Sequence, residues 1–229
     1  MKLWQKSGNV DKEIERFTVG RDRELDLRLA RYDIVGSLAH IRMLAEIGLL
    51  TDPELEQLTA SLQRLYYRVE AGEFSIDPGV EDVHSQVEFL LTQELGEAGK
   101  KIHAGRSRND QVLVDLRLYF RAEAAAIAGG ARALFDLLIQ LADRHREALM
   151  PGYTHLQVAM PSSFGLWFSA YAESLVDDLR LLESTYRIVN QNPLGSAAGY
   201  GSSFPLQRRL TTELLGFDDL AYNVVHAQM

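Results

Sequence analysis

The chain has 229 residues, 46% of them hydrophobic and 24% charged, with no cysteine and a formal net charge of −8. That composition suits a globular chain of one or two domains with a real core, and it excludes disulfides and thiolate chemistry, which allows a reducing cytoplasm. The acidic balance argues against nucleic acid or an anionic membrane surface as the main partner, because both need a basic footprint.

The first residues are polar and irregular, without an apolar signal core, and no uninterrupted apolar run reaches membrane-spanning length because Asp136 and Gln140 cut the richest stretch. Helical spacing begins near Asp22 and runs through Leu25, Leu29, Ile34, Leu38, Ile41 and Leu44 to a glycine stop at Gly48. Thr51-Asp52-Pro53-Glu54 then places a cap oxygen first, proline just inside and an acid three residues on, opening a second helix that continues through Leu55, Leu58, Leu62 and Leu65 to Gly72. Pro78 and Gly79 open a third, carrying Val83, Val87, Leu90 and Leu91 and fading at Gly96 and Gly99.

From Asp110 to about Ala148 apolar residues keep helical spacing and spill over most of the circumference, as in a helix at the centre of a bundle or at a subunit interface. Pro151 and Gly152 end it, and Pro161 suits the first turn of another long helix, which reaches about Asn190. A glycine- and serine-rich loop over 192–203 and a shorter helix after Pro205, interrupted at Gly216, complete the chain. No segment alternates like a strand. The expected fold is all-α, with an N-terminal helical domain over 1–108 followed by the first long helices of a central bundle over 109–229.

Two segments carry chemistry. His103-Ala104-Gly105-Arg106-Ser107-Arg108-Asn109-Asp110-Gln111 sets two guanidiniums, a hydroxyl and two amides against a helix start. Each arginine can bind a carboxylate through two parallel bonds, and Ser107 with Asp110 has capping-box spacing, so the segment reads either as a carboxylate site or as a solvated cap. His155 lies between Thr154 and Gln157 in a loop joining two long helices, and a histidine there reads either as an acid or base group or as a structural hydrogen-bonding group. His84, in Glu81-Asp82-Val83-His84, reads either as part of a polar patch that Asp82 could hold or as a solvated helix start. The other histidines show no metal-ligand spacing. A straight helix of about 39 residues is about 58 Å long, so a site using both segments must draw on different chains unless Gly129-Gly130 breaks it into a hairpin.

Residues 103–112 together with Pro151-Gly152-Tyr153-Thr154-His155-Leu156-Gln157 closely resemble the argininosuccinate lyases of the fumarase/aspartase superfamily. The resemblance extends through Leu3-Trp4, Gly36-Ser37, Gly48-Leu49-Leu50, Glu81-Asp82-Val83-His84 and Asn192-Pro193-Leu194-Gly195-Ser196. It implies a cofactor-free, cytoplasmic homotetramer with composite sites that cleaves argininosuccinate to arginine and fumarate. It also implies substrate binding by Ser107, Arg108, Asn109, Thr154, Gln157, Asp82 and His84. His155 is implied as the acid/base group, either the base itself or the proton partner of the departing nitrogen.

The chain departs from the pattern twice. Gly20 stands where many members have a substrate-binding serine, and the family's G-S-S-x-M-P-x-K-x-N-P loop is missing, Gly201-Ser202-Ser203-Phe204-Pro205 imitating only its start. The chain therefore reads as roughly the N-terminal half of such an enzyme, inactive by itself. Competing readings are a lyase for a related succinyl adduct such as adenylosuccinate, and a non-catalytic structural relative.

Overall fold

The computed structural model describes Phe17 and residues 20–229. The Leu3-Trp4 resemblance and the polar start lie outside the described residues. The helices, in chain order, are α1 (Asp22–Asp26), α2 (Ala30–Glu46), α3 (Asp52–Glu70), α4 (Val83–Leu95), α5 (Glu97–Lys100), α6 (Arg108–Arg144), α7 (Phe164–Val189) and α8 (Arg208–Leu214). Short 3-10 turns cover Lys101–His103 and His226–Gln228. The chain forms two compact units, one comprising the described residues up to Tyr119 with Asn190–Met229, the other Phe120–Val189.

In the first unit the helix starts follow from local chemistry. Thr51 and Glu54 form a full capping box on α3, with Pro53 in the first turn. The third helix begins later than Pro78-Gly79 suggests: Asp82 caps α4, its carboxylate accepting the Ser85 N–H at 2.8 Å. The first helical stretch is divided into α1 and α2 by a turn at residues 27–29.

Residues repeating at helical intervals then pack face to face. Ile34, Ile41 and Leu44 of α2, Leu58, Leu62 and Leu65 of α3, and Val83, Val87 and Leu91 of α4 bury one cluster, closed by Ile102. Val114 and Leu118 of α6 bury a second with Ala39, Leu194, Leu215 and Phe217. Full burial of one such side chain stabilises by about 1.5–3 kcal/mol.

The segment Asn190–Met229 is closed on itself by two parallel strand residues on each side, β3 (Gln191–Asn192) against β4 (Asp219–Leu220). Asn192 donates to Thr211 and Thr212, and Arg208 donates to the Leu194 and Ala221 carbonyls.

The second unit contains the rest of α6, an antiparallel pair and α7. α6 is unbroken through Gly129-Gly130, so the hairpin break does not occur. Against the expectation from its polar interruptions, α6 is long and apolar enough by composition to cross a membrane.

The helical class holds, but residues 149–163 differ from the expected loop and helix start. They form β1 (Leu149–Thr154) and β2 (Gln157–Ser163), with Pro151 opposite Pro161 and Thr154 opposite Gln157. Pro161 therefore lies in the ladder. Ser163 caps α7 instead, accepting the Leu166 N–H at 3.1 Å. Strand alternation was invisible because neither face is buried: Leu149, Tyr153, Val158 and Met160 are all exposed.

Gly99 marks the tightest approach in the first unit. A Cβ there would sit 2.4 Å from the Leu91 carbonyl oxygen, a backbone atom with no rotamer to yield. Gly99→Ala is expected to cost about 1–3 kcal/mol through overpacking, read as a lower urea midpoint at unchanged slope.

Candidate active site

The first candidate segment sits where α2, α4 and the start of α6 meet. Asp110, wholly buried, turns its carboxylate back to accept the Ser107 N–H at 2.9 Å, as the capping spacing predicts, and also accepts the Gly195 and Ala197 N–H groups at 2.8 and 3.0 Å. Burial raises its pKa, although these three bonds and Arg106 pull the other way. Ser107 Oγ accepts the Asn109 N–H at 3.3 Å, one residue short of the full box. Asn109 itself is exposed.

The two arginines do not stand free for a ligand carboxylate. Arg108 is held by protein groups: Asp82 at 3.0 Å, Glu81 at 3.2 Å, and the Ser85 hydroxyl at 3.2 Å. Two of the expected site residues, Asp82 and Arg108, are thereby brought together, with Ser107 and Asn109 flanking Arg108 in the chain.

Arg106 points inward and is only 8% exposed, donating from Nη2 to Ser37 Oγ at 3.1 Å. Among the described residues its Nε and Nη1 have no acceptor. Desolvation lowers its pKa, opposed by Asp33, Asp115, Asp110 and Glu88.

His84 is buried and bound through Nδ1 to Asp33 Oδ1 at 2.8 Å. The same oxygen accepts from Gln111 Nε2 at 2.6 Å. Burial pushes the Asp33 carboxyl up, but His84, Arg106 and Gln111 outweigh it and leave the group below its ordinary value.

Sequence reasoning gave no site role to Asp33, Ser37 or His40, which form a wholly buried stripe at i, i+4 and i+7 on α2. It also missed Asp115, wholly buried beside Val114 on α6. The signal was available: a charged residue inside an apolar helical face is uncommon unless it has a partner.

The second segment forms the tip of the β1-β2 hairpin. Thr154 and Gln157 are the closing pair, and His155 and Leu156 make the two-residue turn with φ of +50° and +62°. Two positive angles are the mark of a type I′ turn, which ordinarily calls for Asn-Gly. Holding histidine and leucine there stores strain of order 1–3 kcal/mol per residue. Thr154, His155 and Gln157 are all exposed, and Leu156 is 98% exposed. In the same hairpin Gly152 sits at the register shift, where a Cβ would lie 3.0 Å from the Met160 carbonyl.

Two outcomes follow from the first segment. Asp110→Ala removes one acceptor from three N–H groups and is expected to cost about 2–4 kcal/mol, with faster amide exchange at Gly195 and Ala197. His40 donates from Nε2 to the Ala104 carbonyl at 2.8 Å, and burial, then the Arg106 charge, pushes its pKa down to about 3. The folded state thus binds fewer protons than an unfolded histidine titrating near 6.5. Stability is therefore complete above that value and falls as pH drops toward 3, by up to about 1.4 kcal/mol per pH unit. Urea unfolding at a series of pH values should show that slope, and His40→Gln should flatten it.

The chain matches the family of lyases over residues 5–228. It is 66% identical over its whole length to argininosuccinate lyase of Bacteroides thetaiotaomicron, of which it covers 51%. It is 43% identical over 99% of its length to argininosuccinate lyase of Thermotoga neapolitana, of which it covers 57%. The chain thus spans about half the length of the curated relatives it matches. Among solved structures, an EDDS lyase variant with bound fumarate superposes with a TM-score of 0.77 at 27% identity, over 96% of this chain and 44% of that one. A fumarate lyase:delta crystallin of Brucella melitensis shares the fold, with a TM-score of 0.77 at 16% identity over 95% of this chain and 53% of that one. With a family match over nearly its whole length and a shared helical fold, the chain belongs to the lyase family.

Proposed function

We propose that the chain provides the N-terminal half of an argininosuccinate lyase, which splits argininosuccinate into arginine and fumarate. The observation that carries this reading is the 66% identity over the whole chain to a protein of that name. It is supported by the presence of both candidate segments in one sequence.

The reaction is a β-elimination. A base takes the proton next to a carboxylate, the neighbouring C–N bond breaks, and the departing guanidino nitrogen takes up a proton. Electrons stay within the substrate, so this class of reaction calls for no redox cofactor. The dianionic intermediate needs hydrogen-bond donors fixed in advance. Ser107, Asn109, Thr154 and Gln157 offer such groups, with Asp82, His84 and Arg108 forming the polar wall behind Asn109. His155, at a strained and exposed tip, handles a proton, as the base or for the leaving nitrogen.

The unbroken helix α6 supports a composite site. Arg108 and Arg144 are its first and last residues, and it does not fold back at Gly129-Gly130. A substrate reaching both segments is then shared by different copies of the chain. The exposed apolar side chains of the second unit, among them Ile127, Leu134, Leu149, Leu166 and Leu181, suit helix packing within a homotetramer in the cytoplasm, with no part for nucleic acid or membrane.

Fumarate release from argininosuccinate, with adenylosuccinate as the control, tests the assignment in the naturally assembled protein. Release from argininosuccinate alone is expected, and His155→Ala should lower kcat about 10²–10⁴-fold. Preference for adenylosuccinate, or saturable binding of neither, would sink the assignment. Residues 1–229 alone should release none. Mixed assemblies of His155→Ala and Asn109→Ala chains should regain part of the activity, because some sites then receive both intact segments; no recovery would refute the shared site.

A further inference from the structure

Asp115 has no role in the reading above, yet its surroundings are unusual. It is wholly buried on α6, and neither of its carboxylate oxygens has a hydrogen-bond donor among the described residues. Asp33 Oδ2 also lacks one. Asp33 Oδ1 is already saturated by the His84 and Gln111 N–H groups. His84 Nδ1 lies 3.5 Å from Asp115 Oδ2, but its single N–H is directed at Asp33, at 2.8 Å.

Close approach of α2 and α6 is built in by Gly36, where a Cβ would lie 3.4 Å from Asp115 Oδ1 and 3.2 Å from Val114. The groups facing this pocket are Asp26 of α1, Asp33 of α2, His84 of α4, and Arg106 ahead of α6.

Two buried, ionised carboxylates with three oxygens that no described residue donates to are costly, because each orphan costs about 1–3 kcal/mol or more. One proton placed between Asp115 and Asp33 gives Asp33 Oδ2 a donor and removes a charge. It also lowers the negative charge gathered around the buried Arg106 guanidinium, on which Asp33 and Asp110 still act. A cation is the competing occupant by distance, the three ligand atoms lying within 4.8 Å of one another. Against it, Asp33 Oδ1 already faces two N–H donors and Arg106 already supplies positive charge.

We infer that Asp115 is a positioning residue for His84: as a neutral acid it donates a hydrogen bond to Asp33, and the single charge on Asp33 holds the His84 ring with Nδ1 as donor. In that tautomer Nε2 carries no proton and is the nitrogen left for a ligand or a proton in transit. Burial and the neighbouring Asp33 carboxylate push the Asp115 carboxyl well above its usual range, in agreement with this arrangement. The inference rests on the lyase reading only for its effect on turnover; the proton's location is read independently.

Three measurements on the naturally assembled protein at neutral pH test it. Infrared difference spectra of wild type against Asp115→Asn should show the stretch of a protonated carboxyl, lost in the variant. Nitrogen NMR should show His84 neutral and protonated on Nδ1. In turnover, Asp115→Leu should lower kcat about tenfold or more with KM little changed, the scale seen for groups that orient a ligand from behind. Asp115→Asn, which can still donate to Asp33, should restore most of that loss.

The absence of a protonated-carboxyl band, a doubly protonated His84, or an asparagine variant as impaired as the leucine one would each overturn the inference. The two spectroscopic readouts decide it even if argininosuccinate proves not to be the substrate.

Discussion

The first unit is organised by the burial of one guanidinium. Arg106 cannot lose its water without compensating negative charge, and the surrounding helices supply it from several directions. Asp33 lies on α2 and Asp110 on α6, and Ser37 receives the one hydrogen bond that the Arg106 guanidinium makes among the described residues. Once those partners are required, the helices have little freedom in register. A slip of one residue on α2 would replace the stripe of Asp33, Ser37 and His40 with apolar side chains and leave Arg106 unpaired. The same arrangement seats His84 on Asp33 and therefore orients α4, whose first turn holds Arg108 through Asp82 and Ser85.

The second unit follows a different principle. Its helices bury few of their own residues, Gly165 and Ala172 on α7 being the buried ones there. Its apolar side chains therefore acquire their energetic meaning through whatever covers them. Close contact is concentrated at the junction of α6 and α7, where a Cβ on Gly165 would lie 2.7 Å from the Arg146 Cα, and the Phe164 and Gly165 N–H groups bond to the Ala148 and His145 carbonyls. The hairpin between them carries the strained His155-Leu156 turn at its exposed tip. Strain of that kind persists only where the strands on either side impose it.

Much of the fold was legible because capping and periodicity act locally. Thr51 to Glu54 announced α3 within a residue, and the valines and leucines of α4 marked its buried face. The hairpin was not legible, since strand alternation appears only when one face is buried, and here Tyr153, Val158 and Met160 are exposed alike. In the candidate site, His84, Asp82 and Arg108 were named through the family resemblance, not from residue type alone. Their arrangement was not legible: Arg106 and Arg108 looked like a matched pair of ligand hooks, whereas one is buried among acids and the other is clamped by Glu81 and Asp82. Asp33 and Asp115 were overlooked because they are 82 positions apart in the chain and nothing local links them.

By itself the sequence determined the helical class, the presence of the two long helices but not their ends at the hairpin, the lyase family and the residue types available for acid/base and carboxylate chemistry. These depend on short-range periodicity, caps and motif identity, all of which are written in contiguous residues. Only the tertiary structure decided which charges are buried, which nitrogen of His84 is bound, that Asp115 has no donor of its own, and that His155 sits on a turn rather than in an open loop. Those outcomes depend on desolvation and on partners distant in the chain, and both come into existence only when helices pack.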